Sequence, residues 1–496
     1  MTGAIELKHK TLMILLFFLA WLTAQFSGAQ EPLTLEKSLE IAMLNSPNIK
    51  HSQLSLERSQ QMLNARLASL KSQFSLTLTP LSYSHTRQFI GLFSSWYTSE
   101  TKQSMGEFTI SQPIKWTDGT LALINQLSWR DSYSQFNDSK SKTFSNDLYL
   151  NFRQPIFTYN RTLVETRGLE LDLENAALNY AIQKLTLEYQ VTQAFFNVYQ
   201  KKSSVDVAID EYNNRNQSYQ IIKNKVDAGL AAQEELYQAE LDMTSSKSSV
   251  QNNQTDLENF LDSFKQLIGL SIYADISVTA DVSHRPVEVD LQKALDTALK
   301  YRMELRQRNI DIEAARFDLI QASATNEFRG DVNVSYGIIG THEKFEQLYN
   351  VPTKNQQLSL QLNIPLFDWG EKKSRIKAFE ASVKNSELSL EDQKNDIIIE
   401  VRRAYRNLKN LVNQIEIANQ NVRNAQLTYD INLERYKNGD ITSMDLNLFQ
   451  NQLSKAKMDK ISALINYKLE LLNLKVLSLY DFEKDRPVAS DIIKYN

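Results

Sequence analysis

Few residues of this sequence have the type and spacing that metal binding or catalysis requires. Histidine could ligate zinc or copper, but the histidines stand far apart, with no carboxylate cluster at metal-ligand spacing: His9, His51, His85, His284 and His342. The chain has no cysteine, no glycine-rich phosphate loop and no Gly-x-Ser-x-Gly elbow. The sequence therefore predicts no metal site, no cofactor and no enzyme activity.

The charge distribution does not match a polyanionic partner. The 496 residues carry a net charge of −4, and Lys and Arg are scattered rather than clustered. Because binding to a phosphate backbone needs a basic patch, nucleic acid is not expected as a partner.

The N-terminal residues have the pattern of a secretory signal peptide. Lys8 and Lys10 precede an apolar run, Leu12–Leu22, and small residues follow up to Ala29. This pattern predicts a signal peptide over 1–29 with cleavage near Ala29. An uncleaved anchor is the alternative, although the run is short of the roughly 20 residues that a span needs. No later run is apolar enough for a transmembrane helix, so membrane entry would require a closed β-barrel.

Proline and glycine divide the chain into long uninterrupted stretches. Two proline-free windows run from Pro155 to Pro286 and from Pro365 to Pro487, with Gly229 and Gly439 in their interiors. Because both residue types interrupt helices, each window predicts a long helix, a glycine turn and a returning helix.

A seven-residue apolar period runs along both predicted long helices. One row is Val191, Val198, Val205, Tyr212, Tyr219 and Val226, and the other is Val401, Leu408, Ile415, Val422, Tyr429 and Tyr436. Such rows are typical of a seam buried between supercoiled helices. A helix from about 161 to 228 would be about 100 Å long, so it must pack against neighbouring helices in a bundle.

The two windows predict an internal duplication. Gly229 and Gly439 differ by 210 positions, as do Pro155 and Pro365. Earlier positions match at an offset of 256, for example Leu35 with Leu291, so the first copy carries 46 extra residues.

Between the helical segments the apolar period changes to two. Phe74, Leu76 and Leu78 alternate with polar residues, and so do Leu358, Leu360 and Leu362. Strands of about ten residues with one apolar and one polar face suit a barrel with a wet lumen. An antiparallel sheet on a soluble core gives the same alternation and remains the alternative. Two hairpins per chain are too few to close a wide pore, which favours an oligomer.

The order of motifs resembles the TolC family of outer-membrane efflux and secretion channels. The motifs are Leu33-Thr34-Leu35, Asn45-Ser46-Pro47, Gln154-Pro155-Ile156-Phe157, Ile364-Pro365-Leu366-Phe367, Ala228-Gly229-Leu230 and Tyr436-Lys437-Asn438-Gly439. The resemblance implies a mixed α and β fold, in which a long α-helical coiled-coil barrel joins a trimeric transmembrane β-barrel. It also implies an outer-membrane location, a helical tunnel in the periplasm, a periplasmic adaptor and an inner-membrane pump as partners.

On this basis we predict the following organisation. A signal peptide (1–29) comes first, and an equatorial linker (270–290) and an equatorial tail (478–496) follow the two repeats. The first repeat (30–269) contains a helix (35–72), strands and outer loops (74–154) and a long helical hairpin (157–268) with its tip at 229. The second repeat (291–477) contains a helix (291–327), strands (330–365) and a long helical hairpin (367–477) with its tip at 439. Residues 105–130 either add strands to the barrel or form an outer loop.

The resemblance also suggests residues that narrow the duct. Glu235 and Asp445 each lie six residues beyond a tip glycine, where the family often has an acid. We predict that Tyr436 bonds Glu235 as a latch and that Asp445 lines the mouth, where a charged ring favours cations. Alternatively, both acids are solvated charges in first helical turns. Leu448 stands where some relatives carry a second aspartate.

Two further groups of residues follow from the resemblance. The adaptor is expected to dock on the hairpin tips, at Gly229, Leu230, Gly439 and Asp440. The junctions from strand to helix are expected at Pro155 and Pro365.

The predicted function is passive exit of small molecules such as drugs and toxic compounds through a tripartite efflux system, or type I secretion. A pore-less periplasmic or surface coiled-coil scaffold is the alternative, and an exported enzyme is a weaker one. The sequence leaves open the cargo and whether the aperture is closed at rest.

Overall fold

The computed structural model describes residues 32–282 and 286–488. The predicted signal peptide, His9, His284 and the last residues of the tail lie outside them. The chain divides into two compact units. Among the described residues, the helical unit comprises 32–53, 180–282, 286–302 and 395–488, and the sheet unit comprises Leu54–Asn179 and Met303–Lys394.

Long helices dominate the chain. In order they are α1 (Leu35–Asn45), α2 (Pro47–Ser69), α3 (Arg161–Asp227), α4 (Gln233–Ile268), α5 (Leu291–Tyr301), α6 (Met303–Ser323), α7 (Glu371–Asn438) and α8 (Ser443–Ser478). Helices α3 and α7 have 67 and 68 residues, and at 1.5 Å a residue each is about 100 Å long. No helix of the two described ranges is long and apolar enough to cross a membrane.

The two shorter helical segments differ from their predicted form. Segments 35–72 and 291–327 each form two helices, because Ser46 (ψ 129°) and Arg302 (ψ 124°) have non-helical backbone. Pro47 accounts for the first break, since the residue before proline avoids the helical region. The second break has no proline or glycine to mark it.

The apolar seams of the long helices lie in the core of the helical unit. Val191, Val198, Val401 and Leu408 are buried, as the seven-residue period predicts. One cluster joins α3 and α4 with α1, and in it the wholly buried Phe195 of α3 lies 6.1 Å, between ring centres, from Phe264 of α4.

Both hairpin tips have the same backbone conformation. Gly229 (φ 77°) and Gly439 (φ 88°) follow their helices in the left-handed conformation that glycine adopts without strain. Beyond Gly229 the Leu230 N–H donates to the Lys225 carbonyl (2.8 Å), and beyond Gly439 the Asp440 N–H donates to the Arg435 carbonyl (2.9 Å).

Six antiparallel strands form one sheet in chain order. They are β1 (Gln73–Ile90), β2 (Ser95–Ile114), β3 (Gly119–Ser134), β4 (Ser139–Ile156), β5 (Arg329–His342) and β6 (Thr353–Asn363). Residues 105–114 and 119–130 therefore lie in β2 and β3, joined by a turn over 115–118, and belong to the sheet rather than to an outer loop. A small pair, β7 (Tyr480–Asp481) and β8 (Arg486–Pro487), follows α8.

The large sheet has one apolar and one polar face. On the apolar face, Leu76 pairs with Phe108, and a second row runs across the strands through Phe74, Ile110, Leu123, Leu150 and Tyr336. On the polar face, one row runs across the strands through Thr77, Glu107, Gln126 and Asp147. Leu76 is 63% exposed and Leu150 is 44% exposed. A large apolar area faces outward, which is unusual for a protein surface in water.

Candidate functional site: the hairpin tips

The four long helices meet near their tips in a second apolar cluster. Ile222 of α3, Ala239 of α4, Tyr436 of α7 and Leu446 of α8 are buried together in it. Each helix contributes the end of its own seam, so the cluster is where the two helical hairpins hold each other.

Tyr436 occupies this cluster with only 4% of its surface exposed. Burial, and secondarily the Glu235 carboxylate, raises the pKa of Tyr436 to about 12. Its hydroxyl has no hydrogen-bond partner, so the predicted bond to Glu235 is not formed within this chain. The Lys225 ammonium lies 5.3 Å from the Tyr436 ring centre, an attractive cation–π contact from the other hairpin.

The two acids beyond the tip glycines lie in first helical turns. Glu235 is exposed in the first turn of α4. Asp445 forms a reciprocal capping box with Thr442 at the start of α8. The Asp445 N–H donates to Thr442 Oγ1 (3.2 Å), and the Thr442 N–H donates to Asp445 Oδ2 (3.1 Å). Hydrogen bonds from the Thr442 side chain and backbone lower the pKa of Asp445.

A polar network links three long helices, and sequence reasoning missed it. The Arg215 guanidinium of α3 donates to Glu211 Oε1 (2.8 Å) and to Asn451 Oδ1 of α8 (2.9 Å). Asn447 of α8 donates to Asp242 Oδ2 of α4 (2.6 Å). Arg215 also lies 3.9 Å from Asp242. The side chains of Arg215, Glu211 and Asp242 are 12%, 23% and 21% exposed, while Asn451 lies at the exposed edge of the network. The one signal in the sequence was that Arg215 lies four positions after Glu211 within a helix.

The remaining predicted residues lie at the turns. Leu230 is 78% exposed beside Gly229, and Asp440 is exposed beside Gly439. Pro155 lies near the end of β4, opposite Asp331 of β5. Pro365 lies two residues after β6 ends.

Metal binding finds no support among the residues that the structure describes. Within 32–282 and 286–488, no three His, Asp or Glu side chains form a group that could hold an ion.

Residues 294–478 match the outer membrane efflux protein family. This segment, which is less than half of the chain, has the sequence pattern of that family. The match covers α5 to α8 and the strands between them, which include the polar network's α8 partners and the second hairpin tip. Together with the relatives described below, this match supports an outer-membrane efflux component rather than an enzyme.

Known proteins are similar in sequence or in fold over most of the chain's length. It is 22% identical over 372 residues to outer membrane protein TolC of Escherichia coli, which covers 72% of this chain and 73% of that protein. The fold is similar to the CmeC outer membrane channel of Campylobacter jejuni (TM-score 0.70, 15% identity, 93% and 88% of the two chains). It is also similar to the open state of the MtrE outer membrane channel of Neisseria gonorrhoeae (TM-score 0.63, 14% identity, 90% and 88%).

Proposed function

We propose that three copies of this chain form a passive duct through the outer membrane, by which small toxic molecules leave the cell. The observation that carries this proposal is that one chain has both helices about 100 Å long and a sheet whose apolar face is exposed, and that its residues 294–478 match the efflux family. Neither element can shelter its apolar surface within one chain.

The surface of α7 supports an oligomer. Besides its buried seam it carries a second set of apolar side chains, and Ile399, Ile417 and Ile431 are 55%, 57% and 61% exposed. A helix in contact with neighbours on two sides needs two apolar stripes. We propose that copies of the same chain cover the second stripe and enclose the lumen.

The chain has to work with a pump, because family members act as the exit of tripartite systems. We propose that the adaptor contacts the hairpin tips at Gly229, Leu230, Gly439 and Asp440. The support is Leu230, a large apolar side chain that is exposed in the turn.

The tip proposal predicts that Leu230→Asp weakens co-purification of the adaptor encoded with this channel by at least tenfold. Burying a carboxylate in a contact that held leucine costs several kcal/mol. Leu92→Asp is the matched control, since Leu92 is also a highly exposed leucine (86%) but lies in the β1–β2 turn. Equal adaptor recovery with both variants would refute docking at the tips.

We further propose that Glu235, Tyr436 and Asp445 lie around the aperture. Tyr436 supports the closed packing through its buried ring, and Asp445 contributes charge to the mouth. Single-channel recordings of Tyr436→Ala test the first part, because loss of the ring should raise the open probability.

The duct itself is tested by purification in detergent and reconstitution in a planar bilayer. We expect a trimer by light scattering and discrete conductance steps. A scaffold would instead leave membranes in carbonate or high salt, and it would be a monomer without conductance. Small-molecule efflux predicts that a deletion strain becomes more susceptible to drugs, whereas type I secretion alone predicts unchanged susceptibility.

A further inference from the structure

The first copy of the predicted duplication contains a strand hairpin that the second lacks. Strands β2 and β3 lie between β1 and β4 in the sheet. Pairing of β1 with β2 extends from Gln73 with Ser111 to Ile90 with Ser95. Pairing of β3 with β4 extends from Thr120 with Arg153 to Ser134 with Ser139. The inserted hairpin is therefore hydrogen-bonded along its length on both sides.

The inserted strands keep both faces of the sheet. On the apolar face, Ile110 of β2 and Leu123 of β3 lie in the row that joins Phe74 of β1 to Leu150 of β4. On the polar face, Glu107 of β2 and Gln126 of β3 lie in the row that joins Thr77 of β1 to Asp147 of β4. A hairpin folded over the mouth or into the bore would have no reason to keep one apolar face in line with its neighbours.

The turn between the inserted strands is fixed to the helices that carry the sheet. Asp118 Oδ1 accepts hydrogen bonds from the Thr162 N–H (3.1 Å) and Oγ1 (2.6 Å), and so caps the first turn of α3. On the other flank, the Gln112 side chain donates to the Leu70 carbonyl (3.0 Å), between α2 and β1. The hairpin is thus held at its turn as well as along its strands.

The sheet has two free edges, and the strands at these edges run in opposite directions. Strands β1 and β6 end the sheet and are exposed along nearly their whole length. Unpaired backbone groups are not tolerated in lipid. Because six is an even number, β6 of one copy runs antiparallel to β1 of the next, and a second copy of this chain can pair with both edges.

We infer that each chain contributes six strands to the pore wall, eighteen in the trimer, so that the outer mouth admits solutes that a twelve-stranded wall excludes. This inference rests on the proposed trimeric duct. With strands about 4.8 Å apart and tilted by about 40°, eighteen strands give a backbone diameter of about 36 Å and twelve give about 24 Å. Inward side chains reduce these to bores of roughly 26 and 14 Å.

The first experiment is a cryo-electron microscopy map of the full-length channel in lipid nanodiscs. Eighteen strands with threefold symmetry support the inference. A twelve-strand wall with residues 95–134 outside it overturns the inference and leaves the duct intact. A monomer, or an assembly without a bore, overturns the proposed function as well.

The second experiment measures access to the bore, and the absence of native cysteine makes it clean. Asn151→Cys places a thiol on the polar face of β4, where Asn151 pairs with Ser335. Cells are treated from outside with a small maleimide or with a maleimide-polyethylene glycol about 20 Å across, a size between the two estimated bores. We expect both reagents to label the full-length channel.

The deletion of residues 95–134 is the comparison, because it joins Ser94 to Gln135 and brings Leu76 opposite Leu148. We expect this variant to keep labelling by the small reagent and to lose at least nine-tenths of labelling by the large one. Deletion of 89–96 shortens the β1–β2 turn without changing the strand number and should label as the full chain does. Exclusion of the large reagent by the full chain overturns the inference. Failure of the small reagent to reach Asn151→Cys in the full chain counts against the duct itself.

Discussion

Asp445 combines two roles that its neighbours allow us to separate. Its carboxylate caps α8 together with Thr442, and it is also exposed near the hairpin tip. Asp445→Asn removes the charge but keeps a side-chain oxygen that can accept a hydrogen bond. If three copies of Asp445 line the mouth, we expect Asp445→Asn to reduce the cation preference of the channel, measured as the reversal potential in a salt gradient. Thr442→Ala removes the capping hydroxyl without changing charge, and it should destabilise the tip by about 1 kcal/mol with no loss of selectivity.

The pH dependence of selectivity follows from the same residue. Because hydrogen bonds from Thr442 lower the pKa of Asp445 below its ordinary value of 3.8, the carboxylate stays charged down to that pH. Any selectivity and capping that depend on the charge are therefore present above pH 3.8 and lost as the pH falls through the lowered pKa. Selectivity that disappears between pH 7 and pH 5 would point to another group.

Arg215 is the residue through which we expect the two hairpins to hold each other most strongly. Arg215→Met keeps the aliphatic bulk but removes the bonds to Glu211 and Asn451, leaving the partly buried Glu211 carboxylate without this partner at a cost of about 1–3 kcal/mol. We predict faster hydrogen exchange at the tips and a higher open probability. Lys457→Met is the control, since Lys457 joins the same two helices through an exposed 3.9 Å pair with Asp210 and should change little. Equal effects of the two variants would contradict a special role for Arg215.

At the scale of the helices, two glycines test how the long elements end. Gly439 has φ of 88° with open space around it, so Gly439→Ala adds backbone strain of about 1 kcal/mol without a clash. Gly168 lies inside α3, also with open space, and there Gly168→Ala should stabilise the helix by about 0.5–1 kcal/mol. Thermal unfolding in detergent should therefore shift downward for the first variant and upward for the second. Shifts of the same sign would mean that the conformation of Gly439 is not what ends α7.

The long helices could be predicted from the sequence because their signals are repeated many times. Absence of proline, a seven-residue period and a glycine at the tip all agreed for α3 and α7. The break at Arg302 could not be predicted, because its backbone departs from the helix without any residue that forces it. The capping box at Thr442 and the network at Arg215 were also missed, since they depend on side chains that meet only after the hairpins pack.

At the scale of the whole molecule, the sequence predicted the fold class and left the strand number open. Alternation identified β1, β4, β5 and β6, but it could not show what the 46 extra residues pair with, since pairing is a contact between distant segments. The sheet register settles that question for one chain. The duplication and the trimer stay predictions, because assembly depends on surfaces that one chain leaves exposed.

The membrane orientation of the molecule rests on which face of the sheet meets lipid, and adjacent residues of β4 test it. Leu150 lies in the apolar row and Asn151 on the opposite face. Leu150→Arg places a charge against hydrocarbon, and near the middle of the bilayer this costs about 2–4 kcal/mol. Asn151→Arg places the same charge on the polar face, where water is available. We therefore predict that Leu150→Arg lowers the amount of protein in the outer-membrane fraction several-fold, while Asn151→Arg assembles normally and alters ion selectivity. The reverse order of the two variants would mean that the polar face is turned outward, and the pore would then have to lie elsewhere.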